Sequence, residues 1–250
     1  MRPVHLILIL GALGCSRGTS AGSQQPTPSR STAPQDTSRA PSGRQASDPT
    51  APRPYNQVIT ASAVTDSGVF LVHRIGEKLY YEIPRNMFGR QFRMVVDRRG
   101  TIRGIGYAGE QIAARVVRWD RINNRVLVRM ISYAMRADSG LPVARSVDLS
   151  NTPPILKSFD VAAWSPRDSN AVIEVTSLFT TDVSELNVRQ LGVRVRRFDP
   201  ARSFVERARS FPINVEVTAL QTFEIDSLPG APGAAAFDRS LNSMTIPTNF

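Results

Sequence analysis

From Ser67 onward the chain is built of short β-rich runs, several of them alternating apolar and polar residues with the two-residue period of a half-buried strand. Val69-Phe70-Leu71-Val72-His73-Arg74-Ile75 and Lys78-Leu79-Tyr80-Tyr81-Glu82-Ile83 flank Gly76-Glu77, which predicts a hairpin that Pro84 ends. Phe92 to Asp97 reads as a strand with Phe92, Met94 and Val96 on one face. Val116 to Asp120 and Arg125 to Ile131 form a second hairpin across Arg121 to Asn124. Ala171 to Thr176 is a further strand, with Leu178-Phe179 just beyond. Val193 to Phe198 and Ser203 to Ala208 flank Asp199-Pro200-Ala201-Arg202, whose Asp and Pro suit the first two positions of a turn. Asn214 to Ile225 alternates as one long strand.

These runs amount to about eight closely spaced strands. They predict a mainly β fold: an antiparallel sandwich or partly open barrel with at most one or two short helices. Val183 to Leu191 is the candidate helix. Between 140 and 170, Pro153-Pro154 and Trp164-Ser165-Pro166 predict loops. No repeat of solenoid length is present.

The first 54 residues follow different rules. Arg2 precedes an apolar run, Leu6 to Leu13, which is too short to span a bilayer and reads as a signal peptide over 1–14. Gly14-Cys15 closes it, placing the chain's one cysteine where a bacterial lipoprotein signal is cut and lipidated. An ordinary secretory signal cut near Ala21 or Gly22 is the alternative. Residues 15–54 are rich in Ser, Pro and Thr and lack aromatics until Tyr55, so they read as a disordered tether. Residues 55–226 form the predicted β domain. Residues 227–250 read as a linker, Leu228 to Ala236, followed by the start of a truncated following segment. The chain is expected to be exported and lipid-anchored in the bacterial envelope, at the outer membrane or in the periplasm. Ser16 after the cysteine carries no signal for inner-membrane retention.

Composition narrows the chemistry. One cysteine excludes a disulfide within the chain and Cys-based zinc sites. The two histidines are His5, in the leader, and His73, so no two-histidine metal site survives in the mature chain. No catalytic or metal-ligating residue is therefore assigned, and no cofactor. The formal net charge is +10, and all but two of the 31 basic residues are arginine. That bias follows from a GC-rich genome as readily as from an anionic partner, and no nucleic acid is expected.

Four motifs bear on chemistry. Gly104-Ile105-Gly106-Tyr107-Ala108-Gly109 matches G-x-G-x-x-G, but strands flank it and Arg129 stands near where a carboxylate is needed, so it reads as a glycine-rich connection. His73 has no G-x-S-x-G companion and reads as a cross-strand polar residue. Nothing in the spacing of Glu82, Glu174, Glu185 and Glu216 selects a glycosidase pair. Arg194, Arg196 and Arg197 are candidate contacts to an anionic surface, set against the plainer reading of a solvated face paired with carboxylates such as Glu206.

Several segments resemble the N-terminal part of a family of bacterial zinc-dependent metalloproteases. They are Gly68 to His73, Lys78 to Pro84, Phe88-Gly89-Arg90, Asn124 to Arg129, Val175 to Phe179, Asp199 to Phe204 and Phe211 to Val217. The resemblance covers about residues 55–226 and implies domains of unknown function ahead of the protease. In that family the zinc site, an H-E-x-x-H helix, lies well downstream. This chain contains no H-E-x-x-H, so no catalytic or zinc-binding residue carries over. The implied role is a non-catalytic accessory domain, attached to the membrane by its lipid and packed in cis on a downstream protease domain that holds the zinc. The alternative is a self-standing envelope lipoprotein that recognises a peptide or an anionic glycan.

Overall fold

The computed structural model describes residues 51–100, 107–166, 169–191, 194–225 and 243–250. The expected signal peptide, Cys15, most of the tether and the Leu228–Ala236 linker lie outside them. No helix among the described residues is long and apolar enough to cross a membrane.

Eleven strands form one sheet. They are β1 (Val64–Ser67), β2 (Leu71–Ile75), β3 (Lys78–Ile83), β4 (Gln91–Arg98), β5 (Gln111–Ile122), β6 (Arg125–Ile131), β7 (Ile155–Trp164), β8 (Ala171–Glu174), β9 (Arg197–Ser210), β10 (Val215–Glu224) and β11 (Ser243–Asn249). Their order is β1-β2-β3-β8-β7-β6-β5-β4-β11-β10-β9, and every neighbouring pair is antiparallel. The mainly β expectation holds, and of its two architectures the partly open barrel is the one formed. The helices are short: α1 (Tyr55–Val58), α2 (Ala144–Ser150) and α3 (Thr176–Phe179), one more than expected.

The sheet closes on itself without a strand pairing. Val69 N–H donates to Phe211 O at 2.7 Å, and Ser210 Oγ donates to Phe70 O at 2.7 Å. The Arg74 guanidinium donates to Glu206 O at 2.7 Å and Val205 O at 3.0 Å. Together these bonds satisfy backbone groups on what would be two open edges. The chains meet so closely at Gly68 that a Cβ there would lie 2.5 Å from Phe211 N and nearer still to its carbonyl oxygen. Glycine is therefore required by contact rather than by its φ angle.

Inside the curve, alternate residues pack into one core. Tyr81 and Ile83 of β3, Val117 and Trp119 of β5, and Val126 and Val128 of β6 are buried there. Phe70 is its aromatic hub, with ring centroids 5.5 Å from Phe92, 5.7 Å from Tyr81 and 6.1 Å from Trp119. A smaller cluster, Val58, Tyr80, Ala163 and Val172, lies on the other face, beneath α1. β3 is thus covered on both faces, and five of its six residues are buried.

Four expectations are corrected. The domain does not end near Asp226: β11 pairs with β10 from Thr218↔Asn249 to Glu224↔Ser243 and with β4 at Thr248↔Arg98. Ser243–Asn249 is thus a strand of this sheet, and Ile246 within it is fully buried. Asp199 to Arg202 is not a turn between two strands. Asp199 Oδ1 accepts from the Ala201 and Arg202 amides, forming a bulge inside the continuous β9. Both halves of β9 pair with β10, at Phe198↔Phe223 and Phe204↔Leu220. Residues 155–164, expected as loop, form β7, because Phe159, Val161 and Ala163 alternate into buried sites. Val183 to Leu191 holds two 3-10 turns, Ser184–Leu186 and Val188–Leu191, instead of one helix.

Gly68→Ala should lower stability by roughly 1–3 kcal/mol, because the new methyl forces the two edges apart. A lower midpoint in urea unfolding is the expected result; an unchanged midpoint would contradict closure at this contact.

Candidate functional site

The β2–β3 register places His73 opposite Tyr80, with Glu82 one diagonal step along the same face. This is the face that α1 covers. His73 and Glu82 are each 2% exposed. His73 Nε2 lies 3.4 Å from Glu82 Oε2. On β1, Thr65 pairs with His73, and Thr65 Oγ1 shares a 2.8 Å hydrogen bond with His73 Nδ1. Tyr55 of α1 donates its hydroxyl to Glu82 Oε2 at 2.9 Å, and Asn170 Nδ2 donates to Oε1 at 2.9 Å.

Burial alone would raise the Glu82 carboxyl. The neighbouring His73 and hydrogen bonds from Asn170 and Tyr55 overturn that and hold it down to about 2. Tyr55 is pushed up to about 12, first by burial and then by its bond to Glu82. The order hydroxyl, imidazole, carboxylate has the outline of a catalytic relay. Its environment is that of a structural knot. Both Glu82 oxygens are occupied, and the arginine-lined cleft, the groove beside Arg53 and the apolar cavity are all lined by other residues. Its chemistry is to fasten β1, β2, β3, α1 and the turn before β8 to one another.

The other carboxylates do not pair. Glu174 meets Lys78 at 3.0 Å, Glu185 accepts from Ser184, and Glu216 accepts from Asn214. Among the described residues no group of three or more His, Cys, Asp or Glu side chains is placed to hold a metal ion. Gly104 and Gly106 fall outside the described residues, and Gly109 sits in a turn at φ 85°.

Arg194, Arg196 and Arg197 are exposed. Only Arg197 belongs to β9, since the strand begins there. Glu224 on β10 takes Arg197 at 2.6 Å and Arg196 at 3.6 Å. Its carboxyl is held below the usual range chiefly by its hydrogen bond with Arg197.

A denser arginine group lies elsewhere. On the outer face of the β5–β6 hairpin, Arg118 and Arg129 stand directly opposite each other. Asp120 lies between them: Arg118 donates to both of its oxygens at 2.8 Å, and Arg129 Nε is 3.3 Å from Oδ2. Arg85, Phe88 and Gly89, from the connection between β3 and β4, close a cleft of about 570 Å³ over this pair, with Arg121 and Ile122 at its edge. Gly89, at φ 78°, seats the connection by donating its N–H to Trp119 O at 2.9 Å. The sequence pattern expects this hairpin to turn over Arg121 to Asn124, which would set residue 118 against residue 127; instead β5 continues to Ile122, which pairs with Arg125. A hairpin turning at Asn123-Asn124 sets residue 118 against residue 129.

The family described as a domain of unknown function (DUF5117) matches residues 109–249. The chain belongs to this family. A second domain of unknown function (DUF5118) matches residues 52–98. No curated protein and no solved structure matches the chain.

The two matched segments interleave in the sheet. DUF5118 supplies β1 to β4 and DUF5117 supplies β5 to β11, yet β3 pairs with β8, and β4 lies between β5 and β11. The knot likewise joins four DUF5118 residues to Asn170 of DUF5117. The buried Arg98 extends the link, its guanidinium 3.2 Å from Glu110. The cleft too draws on both segments.

A depressed carboxylate pKa adds stability that is complete above the ordinary value of 4.5 and is lost as pH falls toward about 2. At pH 7, Glu82→Gln should cost roughly 1–3 kcal/mol, because its amide nitrogen faces a donor. The gap between wild type and variant should shrink between pH 4.5 and pH 3 in urea unfolding. A gap that stays constant over that window would contradict the reading of Glu82.

Proposed function

We propose that this chain is the non-catalytic N-terminal region of an exported zinc-dependent metalloprotease, held to the envelope through a lipid on Cys15. The carrying observation is the sealed knot. The one histidine outside the leader, His73, is committed to Thr65 and Glu82 beneath α1, which suits a scaffold. The family-like segments between Gly68 and Val217 support the same reading, as does the absence of H-E-x-x-H from the sequence. The zinc would then belong to a downstream protease domain in cis, with this region packing on it, spacing it from the membrane or shaping substrate access. The tether of residues 15–54 has the composition for such spacing.

The arginine-lined cleft favours a second reading, a self-standing envelope lipoprotein that binds a peptide or an anionic glycan.

The purified chain, supplied with zinc and a mixed peptide library, should release no product that a chelator suppresses. Chelator-sensitive cleavage would overturn the non-catalytic assignment. In a bacterial host, labelled palmitate should enter the wild-type chain and not Cys15→Ser; label in both or in neither would overturn the anchor.

A further inference from the structure

The Arg118–Arg129 juxtaposition is costly as it stands. Like charges directly opposite each other on neighbouring strands repel, and one shared carboxylate offsets part of that repulsion. The fold increases the imbalance. Arg85 is carried in by the β3–β4 connection and Arg121 by the end of β5, so four arginines line the cleft against the single Asp120. Arg118, Asp120 and Arg129 are only partly exposed, with side-chain exposures of 32%, 20% and 19%. Their charges therefore act in a less screened setting than those of Arg194, Arg196 and Arg197.

The cationic fork is also held in position. Arg118 is fixed by two bonds to Asp120, while Arg129 Nη1 donates to Pro153 O at 3.0 Å. Arg121 is stacked 5.1 Å from the Trp164 ring centroid. Guanidiniums fixed in this way match the paired oxygens of a carboxylate or phosphate without further loss of side-chain freedom. Phe88 and Ile122 give the cleft an apolar margin, and its volume of about 570 Å³ falls within the range of small-ligand sites.

We propose that this cleft binds an acidic sugar unit of an envelope glycan, its oxyanion held by Arg85, Arg118 and Arg129, with Arg121 adding positive charge at the edge, and its ring set against Phe88. The assignment deepens the second reading above and rests on it for the glycan, while the anion site rests on the geometry of the hairpin and the connection. It moves the anionic contact from Arg194, Arg196 and Arg197 to the other arginine group.

The test is titration of the full chain, followed by backbone amide NMR, with an oligogalacturonate, a neutral oligosaccharide of equal length and inorganic phosphate. The oligogalacturonate should shift amides of residues 85–89, 118–122 and 129. Arg85→Gln with Arg121→Gln should weaken it at least tenfold, while Arg194→Gln with Arg197→Gln leaves it unchanged. Binding that the first pair of substitutions leaves intact would overturn the site, as would amide shifts confined to residues 194–197. Because amide shifts locate the site in the unaltered chain, the result does not depend on the variants folding. Phosphate binding in the cleft without the oligogalacturonate would overturn the glycan and leave an anion site, with only the peptide form of the second reading standing. No binding of either anion would overturn the site itself.

Discussion

An interior strand needs a partner on each edge, and β3 and β4, adjacent in sequence, find theirs at different places in the sheet. β3 pairs with β2 and β8, whereas β4 pairs with β5 and β11. Four strands stand between them in the sheet order. The connection from Pro84 to Arg90 therefore has to run across an end of the curved sheet. It does so through the 3-10 turn Arg85–Met87 and is seated on β5 by Gly89. Glu82, at the near end of this crossing, ties the last turns of β3 to α1 and Asn170. Arg85, just beyond it, reaches the β5–β6 hairpin. The polar knot and the arginine cleft are two consequences of one crossing.

The two sites differ in how well their charges are satisfied. At Glu82 several donors converge on one carboxylate, and burial strengthens each bond because no water competes. In the cleft the reverse holds: one carboxylate serves guanidiniums that cannot all be neutralised by it. A buried network centred on one carboxylate holds a fold together, whereas an unbalanced and half-exposed one is where a ligand gains most. The assignment of scaffold to the knot and of binding to the cleft follows from that contrast.

Much of the architecture was legible in the chain. The hairpin at Gly76-Glu77 follows from turn residues and alternation and places His73, whereas the second hairpin, expected to turn over Arg121 to Asn124, turns at Asn123-Asn124 alone, and that tighter turn is what pairs Arg118 with Arg129. Other elements were hidden for identifiable reasons. Pro153-Pro154 and Ser165-Pro166 bracket β7 so closely that punctuation outweighed the alternation of Phe159, Val161 and Ala163. Asp199-Pro200 carries the chemistry of a turn, but β10 offers one continuous partner, and the chain absorbs the extra residues as a bulge. β11 stands beyond a low-complexity stretch, and its place between β10 and β4 depends on pairing that no local pattern encodes. The burial of Glu82 was equally invisible, since it requires α1 to lie on the outer face of β3.

The interleaving of the two family-matched segments in one sheet makes them one cooperative unit. Native-state hydrogen exchange across a series of denaturant concentrations measures this directly, because it reads the opening free energy of each strand. The protected amides of β3 should merge with those of β5, β8 and β10 onto one global unfolding isotherm. If the amides of β1 to β3 instead open together at a distinctly lower free energy while β5 to β11 stay protected, the segments fold separately and the account is wrong.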